Sequence, residues 1–300
     1  RVVALPDADW SPEQFSGLSE GLAPAQQLAR RLVENGCQVL VPMVVNREQT
    51  FSGHSDVRFT NQPHREFIYR QAFEMGRHII GYEVQKVLAG VDEFIRLNEQ
   101  TRNELPIGVA GIGEGGLLAQ YSSAVDTRIS ATWVGGYFGP RDHLWEEPIY
   151  RNVWALLREF GDSDLASLIA PRGLIIEAGR APEVSGPPNP LAGRGGGAAP
   201  GRIVSPAAAD VQVEVNLARS HYEQLLVADR LVLVIPTNAA DGCGSRSATV
   251  AFFQQLAANP AHAGNLARQP PQPQLEGSDP NLRLQRQMEE LVNYTQKLLR

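Results

Sequence analysis

The 300-residue sequence predicts an α/β protein: a mostly parallel sheet with helices on both faces. Three observations predict it. Short apolar runs alternate with helix-period segments along most of the chain. Several runs are apolar at every position, which suits strands covered on both faces. At the centre, Ile107–Ile112 breaks on Gly113-Glu114-Gly115-Gly116 and resumes as Leu117-Leu118, which reads as strand, tight turn and helix.

In chain order, Val2–Leu5 is the first strand, and Pro6–Trp10 is the loop leaving it. Pro24–Asn35 is an amphipathic helix with Leu28, Leu32 and Val33 on one face, stopped by Gly36. Cys37–Val45 is a continuous apolar strand, with Cys37 as a small core residue. The polar excursion from Asn46 to Gly76 is long enough to be functional or to carry short helices of its own. Ile80, Val84, Val87, Leu88, Val91 and Ile95 then mark a long helix.

After the central turn, a helix runs to about Val125. Ile129–Val134 is a strand ending on Gly135-Gly136-Tyr137, residues 148–170 are helical in pieces, and Gly173–Ala178 is a further strand. Pro182–Gly201, rich in glycine and proline, reads as a mobile loop. Ser205 is placed to cap a helix through Val227, Leu231–Pro236 is the sixth strand, and Ala248–Ala258 the last helix of the domain. The expected division is a domain over 1–265, then a proline-bearing linker and the start of a further helical segment over 266–300. The chain opens on a strand and closes inside a helical pattern, so both ends are expected to be cut from a longer protein.

A net charge of −6 and a pI near 5.6 give no reason to expect nucleic acid or an anionic membrane as partner. No apolar run reaches the roughly 20 residues that span a bilayer. Cys37 and Cys243 form neither a disulfide framework nor a metal-ligand spacing, so neither a metal nor a cofactor is expected.

The chain resembles the α/β-hydrolase superfamily, in its dienelactone-hydrolase and acetylxylan-esterase branch. The carriers are Gly76-Arg77, Ile80–Val84 and Val91-Asp92, then Ile107–Gly111 with Glu114-Gly115-Gly116, and then Ala124–Ile129, Gly135–Tyr137 and Ala170–Ile176. The resemblance covers Val2 to Ala258 and implies an α/β-hydrolase fold entered at the family's third strand, with its N-terminal strands missing. It also implies a serine nucleophile on the turn, an acid after the strand following the next, and a histidine after the last strand. All three positions are vacant. Gly113 stands at the nucleophile, Ala181 at the acid with Glu183 displaced in register, and the loop Thr237–Ser245 contains no histidine. Loss of a triad nucleophile or base costs about 10⁶ in kcat.

The expected outcome is a catalytically degenerate domain of carboxylesterase lineage, retained as a binding or structural module. Its expected partners are a small-molecule or carbohydrate-ester ligand and a further domain beyond Arg300. The candidate pocket comprises Asp7, Asp9, Arg77, His78, Glu114, Tyr137 and Glu177. Asp7 and Asp9 lie in the loop that helps form the family's oxyanion hole, where carboxylates would repel a developing oxyanion. Glu114 at a helix N-terminus suits capping or pairing. The charged run from His64 to His78 reads as a salt-bridged cap on the loop or as a pocket mouth. His221 reads as a surface or boundary residue, and Cys243 has no base beside it. One alternative is an active hydrolase with a non-standard site built from Glu114, His78 and Glu177. Another is a nucleotide-binding module, since Gly111, Gly113 and Gly116 match G-x-G-x-x-G. Against it, no acid ends the strand that follows.

Overall fold

A computed structural model describes residues 1–52, 62–237, 242–256 and 279–299. Six strands form one parallel sheet: β1 (Val2–Leu5), β2 (Val39–Leu40), β3 (Gly108–Ile112), β4 (Ala131–Gly135), β5 (Gly173–Glu177) and β6 (Leu231–Val234), in the spatial order β2-β1-β3-β4-β5-β6. Each pair is parallel and in close register, with Leu5 beside Gly111, Gly111 beside Val134, and Val134 beside Ile176.

The helices are α1 (Pro12–Phe15), α2 (Leu28–Glu34), α3 (His64–Glu74), α4 (Ile79–Thr101), α5 (Glu114–Val125), α6 (Leu156–Glu159), α7 (Asp162–Ile169), α8 (Ala208–Gln224), α9 (Arg246–Gln255) and α10 (Pro280–Leu298). Because successive strand residues point to opposite faces, the sheet has two cores. Val3, Leu5, Val109, Val134 and Ile176 face α4, α5, α7 and α8, whereas Val2, Ala4, Ala110, Trp133 and Ile175 face α2 and α9. The four inner strands are buried along their whole length, in keeping with their mostly apolar sequences; Thr132 and Glu177 are the polar residues they bury.

Several expectations are corrected. The strand expected over Cys37–Val45 is only Val39–Leu40 and is half-buried. It is an edge strand paired with β1 alone, and Pro42 cannot donate to a ladder. Val33 is exposed while Leu28 and Leu32 are buried, so the apolar stripe of α2 is narrower than its sequence suggests. Ser205 does not cap α8. Its hydroxyl instead binds both the amide and the carbonyl of Ala181, and Ala207 stands at the cap.

The glycine- and proline-rich loop is tied down at several points, the Val184–Ile203 bridge among them. Gln49 donates to the Asn189 carbonyl, Gln62 donates to the Gly197 carbonyl, and the Ala199 amide donates to Glu66. The long excursion carries α3, although its residues 53–61 lie outside the described residues, as does most of the proline-bearing segment after α9. Asp279 caps α10, which places Leu284 and Met288 in the core beside α3. Among the described residues, no helix is long and apolar enough to cross a membrane.

The fold sets where a site can form. The chain leaves β1 toward β2 on one side and reaches β3 on the other, so strand order reverses between β1 and β3. Loops at the carboxyl ends of strands diverge at such a switch point and open a crevice. Asp7 follows β1, and Gly113 and Glu114 follow β3, so these residues meet there.

Candidate functional site at the strand switch point

The turn after β3 is built on close approach. A Cβ on Gly111 would lie 2.0 Å from the Gly115 carbonyl oxygen, and one on Gly115 would lie 2.1 Å from that of Leu5. Helix α5 can start directly against β1 and β3 only because both positions lack side chains. Gly113 adopts φ 60° and ψ −117°, and its amide donates to the Gly135 carbonyl at 2.9 Å. This is a sharp strand-to-helix turn with no side chain at its apex.

The space above that apex is filled from within. A Cβ on residue 113 would sit 2.3 Å from Asp7 Oδ2. The same oxygen accepts the Glu114 backbone N–H at 2.9 Å. In a serine hydrolase of this fold, the amide after the nucleophile donates to the oxyanion. Here a resident carboxylate takes that donor.

Around it lies a buried ionic network. Arg47 Nη1 binds Asp7 Oδ1 at 2.7 Å and Asp9 Oδ2 at 2.8 Å, and its Nη2 reaches Glu114 Oε2 at 2.9 Å. Arg65 donates to Glu114 Oε1 at 3.1 Å, to Glu83 Oε1 at 3.1 Å and to the Val45 carbonyl at 2.9 Å. Arg151 donates through Nε and Nη2 to Glu114 Oε2, at 3.1 and 2.9 Å. Tyr150 receives Arg47 Nε on its hydroxyl, and its ring lies under Arg65 at 5.0 Å. Asp7, Glu114 and Arg65 are wholly buried.

Three buried guanidinium groups thus face the buried carboxylates of Asp7, Glu83 and Glu114, while Asp9 and Glu147 pair with Arg47 and Arg151 from less buried positions. Charges this deep are tolerated only when paired and hydrogen-bonded. Burial alone would push the Glu114 carboxyl up, but Arg151, Arg65 and Arg47 together outweigh it and hold it well below the usual carboxylate range. A carboxylate so strongly held is neither a proton shuttle near neutrality nor a free nucleophile.

The remaining sequence-predicted residues do not converge on this point. His78 caps α4, with Nδ1 accepting from the Ile80 amide and Nε2 against the Asn152 carbonyl, so both ring nitrogens are engaged with backbone. Glu177 accepts from Trp133 Nε1, Gly244 N and Ser245 N at 3.2, 2.8 and 2.8 Å. It therefore anchors the loop before α9 and shares no hydrogen bond with Glu114 or His78. Arg77 is exposed and Glu183 lies at the surface beside Arg180, outside the network. Tyr137 is buried next to it, under Arg141 at 4.2 Å and Arg151 at 5.6 Å.

The turn after β5 and the last loop do meet. Cys243 N donates to the Arg180 carbonyl at 3.0 Å, although residues 238–241 of that loop lie outside the described residues. Burial pushes the Cys243 thiol well above its ordinary value, so it remains protonated and inert. Among the described residues, no cluster of three or more His, Cys, Asp or Glu could hold a metal ion.

Arg47 and Arg151 escaped sequence reasoning. Arg47 lies in the polar excursion and Arg151 in a broken helical region, and neither location has a periodicity that assigns a direction to its side chain. The available signal was Glu114 itself: a carboxylate in an otherwise apolar strand–turn–helix needs buried cations.

No protein-family profile matches the sequence, and no curated protein matches it. Solved structures do. The chain superposes on a putative acetyl xylan esterase from Bacteroides fragilis NCTC 9343 with a TM-score of 0.52 at 16% identity, over 80% of this chain and 59% of that one. It superposes on a methylesterase with a TM-score of 0.50 at 15% identity, over 84% of this chain and 47% of that one. It thus spans less than two thirds of either structure. The six-stranded parallel sheet and the structural match define an α/β-hydrolase fold. Both of these structural neighbours carry esterase names.

Proposed function

We propose that this domain is an α/β-hydrolase of esterase lineage whose hydrolytic site has been replaced by an internal ion-pair network, and that it serves as a binding or structural module. The observation that carries this reading is Asp7 Oδ2, which sits where a nucleophile's side chain would begin and takes the Glu114 amide that would otherwise face an oxyanion. Ester hydrolysis needs a nucleophile, a base and free donors at that point. The sequence lacks the first two, and Asp7 engages the third.

A non-standard hydrolase built from Glu114, His78 and Glu177 is disfavoured by their separate hydrogen-bond partners. A nucleotide site at the start of α5 is disfavoured because two carboxylates, Asp7 and Glu114, already stand at the helix end that a phosphate would approach. The names of the structural neighbours support a small-molecule or carbohydrate-ester ligand as the ancestral class. The test is turnover of p-nitrophenyl acetate and of acetylated xylose by purified protein. The reading predicts rates at the uncatalysed background, and enzyme-concentration-dependent turnover of either ester overturns it.

A further inference from the structure

Beside the network, at the carboxyl ends of β1 and β2, lies a cavity of about 220 Å³ bounded by the loop after β1, the segment after β2 and the first turn of α10. Its wall is mostly polar. Asp9 and Glu48 bring carboxylates, Asn46 and Asn281 bring carboxamides, and Trp10 brings an indole. Trp10 is held against Phe15 with ring centroids 6.0 Å apart, so its position is set by packing. Asn46 Oδ1 faces His64 Nδ1 at 2.6 Å and accepts the Glu48 amide, which turns its amino group to donation. Asp9 is oriented by Arg47 through Oδ2.

We infer that this cavity binds a small neutral polyhydroxylated molecule, a monosaccharide or the terminal unit of a glycan. The volume is below the roughly 300–1,000 Å³ of drug-sized sites, which suits a single small ring. Carboxylate acceptors on Asp9 and Glu48, the donating amino group of Asn46 and the Asn281 carboxamide together match vicinal hydroxyls, which both donate and accept. An indole offers an apolar face to the C–H side of such a ring. The wall carries both signs, since Arg283 lines the cavity with Asp9 and Glu48 and is bonded to Glu13 while Arg47 binds Asp9, so neither an anion nor a cation meets a single-sign field. Helix α10 supplies one wall through Asn281 and Leu284, so the segment after the proline-bearing stretch completes the site.

The inference deepens the binding-module reading and rests on it. The experiment is a ¹H–¹⁵N NMR titration of the whole chain with D-xylose, D-glucose and myo-inositol, with D-glucuronate as the anionic control. Saturable shifts are expected with at least one neutral ligand, together with markedly weaker binding of glucuronate. The exposed-site variant Glu48→Gln/Asn281→Ala should keep the native spectrum and weaken binding by about tenfold or more, the equivalent of one hydrogen bond to a charged group. Absence of saturable shifts, equal binding of glucuronate, or undiminished binding in the variant overturns the inference. Esterase turnover would instead sink the degenerate reading, so the two failures are separable.

Discussion

Asp7 Oδ2 accepts the Glu114 backbone N–H at 2.9 Å, and a Cβ on Gly113 would approach that same oxygen to 2.3 Å. The missing side chain at 113 and the carboxylate at 7 are therefore one structural feature: the second occupies the space left by the first. Arg47 fixes it there by binding both carboxylate oxygens of Asp7 and one of Glu114.

Gly113→Ser should consequently destabilise the fold instead of restoring a nucleophile. The new Cβ meets Asp7, and φ of 60° is unfavourable for a side chain. A loss of about 1–3 kcal/mol is expected. Urea unfolding of Gly113→Ser, Asp7→Ala and the double variant checks this. The double variant should be more stable than the sum of the single losses predicts, because the two residues compete for one space.

Removal of the central charge should be costly. Glu114→Gln leaves three buried guanidinium groups short of a counter-charge, and a loss of about 3–5 kcal/mol is expected. The exposed Arg286–Glu290 pair on α10 is the contrast, with Arg286→Ala expected to stay within about 0.5 kcal/mol of the parent. Equal, small effects at both positions would contradict the network's structural role.

Acid should weaken the fold in two stages. His64 is buried, and burial lowers its imidazole to about 4. Its Nε2 accepts the Phe51 amide at 2.8 Å, so a proton there would face an N–H. The unfolded chain protonates this histidine below about 6.5 while the native state does not, so stability falls as pH drops from about 6.5 toward 4. Glu114, held below its ordinary value, contributes stability above about 4.5 that is lost as pH falls further toward its native value. Unfolding midpoints measured between pH 7 and 4 should fall throughout, and His64→Gln should flatten the upper part of that dependence.

Glu177→Gln separates a structural carboxylate from a catalytic one. Its carboxylate accepts from an indole N–H and two backbone amides at the start of α9. The amide variant keeps one acceptor oxygen but presents a donor to another N–H, at a cost of about 1–3 kcal/mol. Thermal unfolding should register that loss.

Much of the architecture was legible because inner strands and long helices announce themselves by period. Val109-Ala110 and Leu174–Ile176 are apolar at every position because both faces of their strands are covered, and α4 repeats buried positions from Ile80 through Val87 to Phe94. Edges were less legible. Cys37–Val45 has a buried strand's composition, yet pairs over two residues because its position in the sheet is a tertiary fact. Which residues stand at the positions where the resemblance implies a triad could be read directly, since that is a statement about sequence. What packs around Gly113 and Glu114 could not. Asp7, Arg47, Arg65 and Arg151 come from four separate segments, and only the reversal of strand order between β1 and β3 brings them onto Glu114.

The most direct test of the central claim is p-nitrophenyl acetate hydrolysis by the parent protein, Glu114→Gln, Cys243→Ala and the distant control Arg286→Ala, at matched concentrations and confirmed folding. The proposed binding or structural role predicts the uncatalysed background rate for all four. Robust turnover by the parent and the control, abolished in Glu114→Gln or Cys243→Ala, would contradict it.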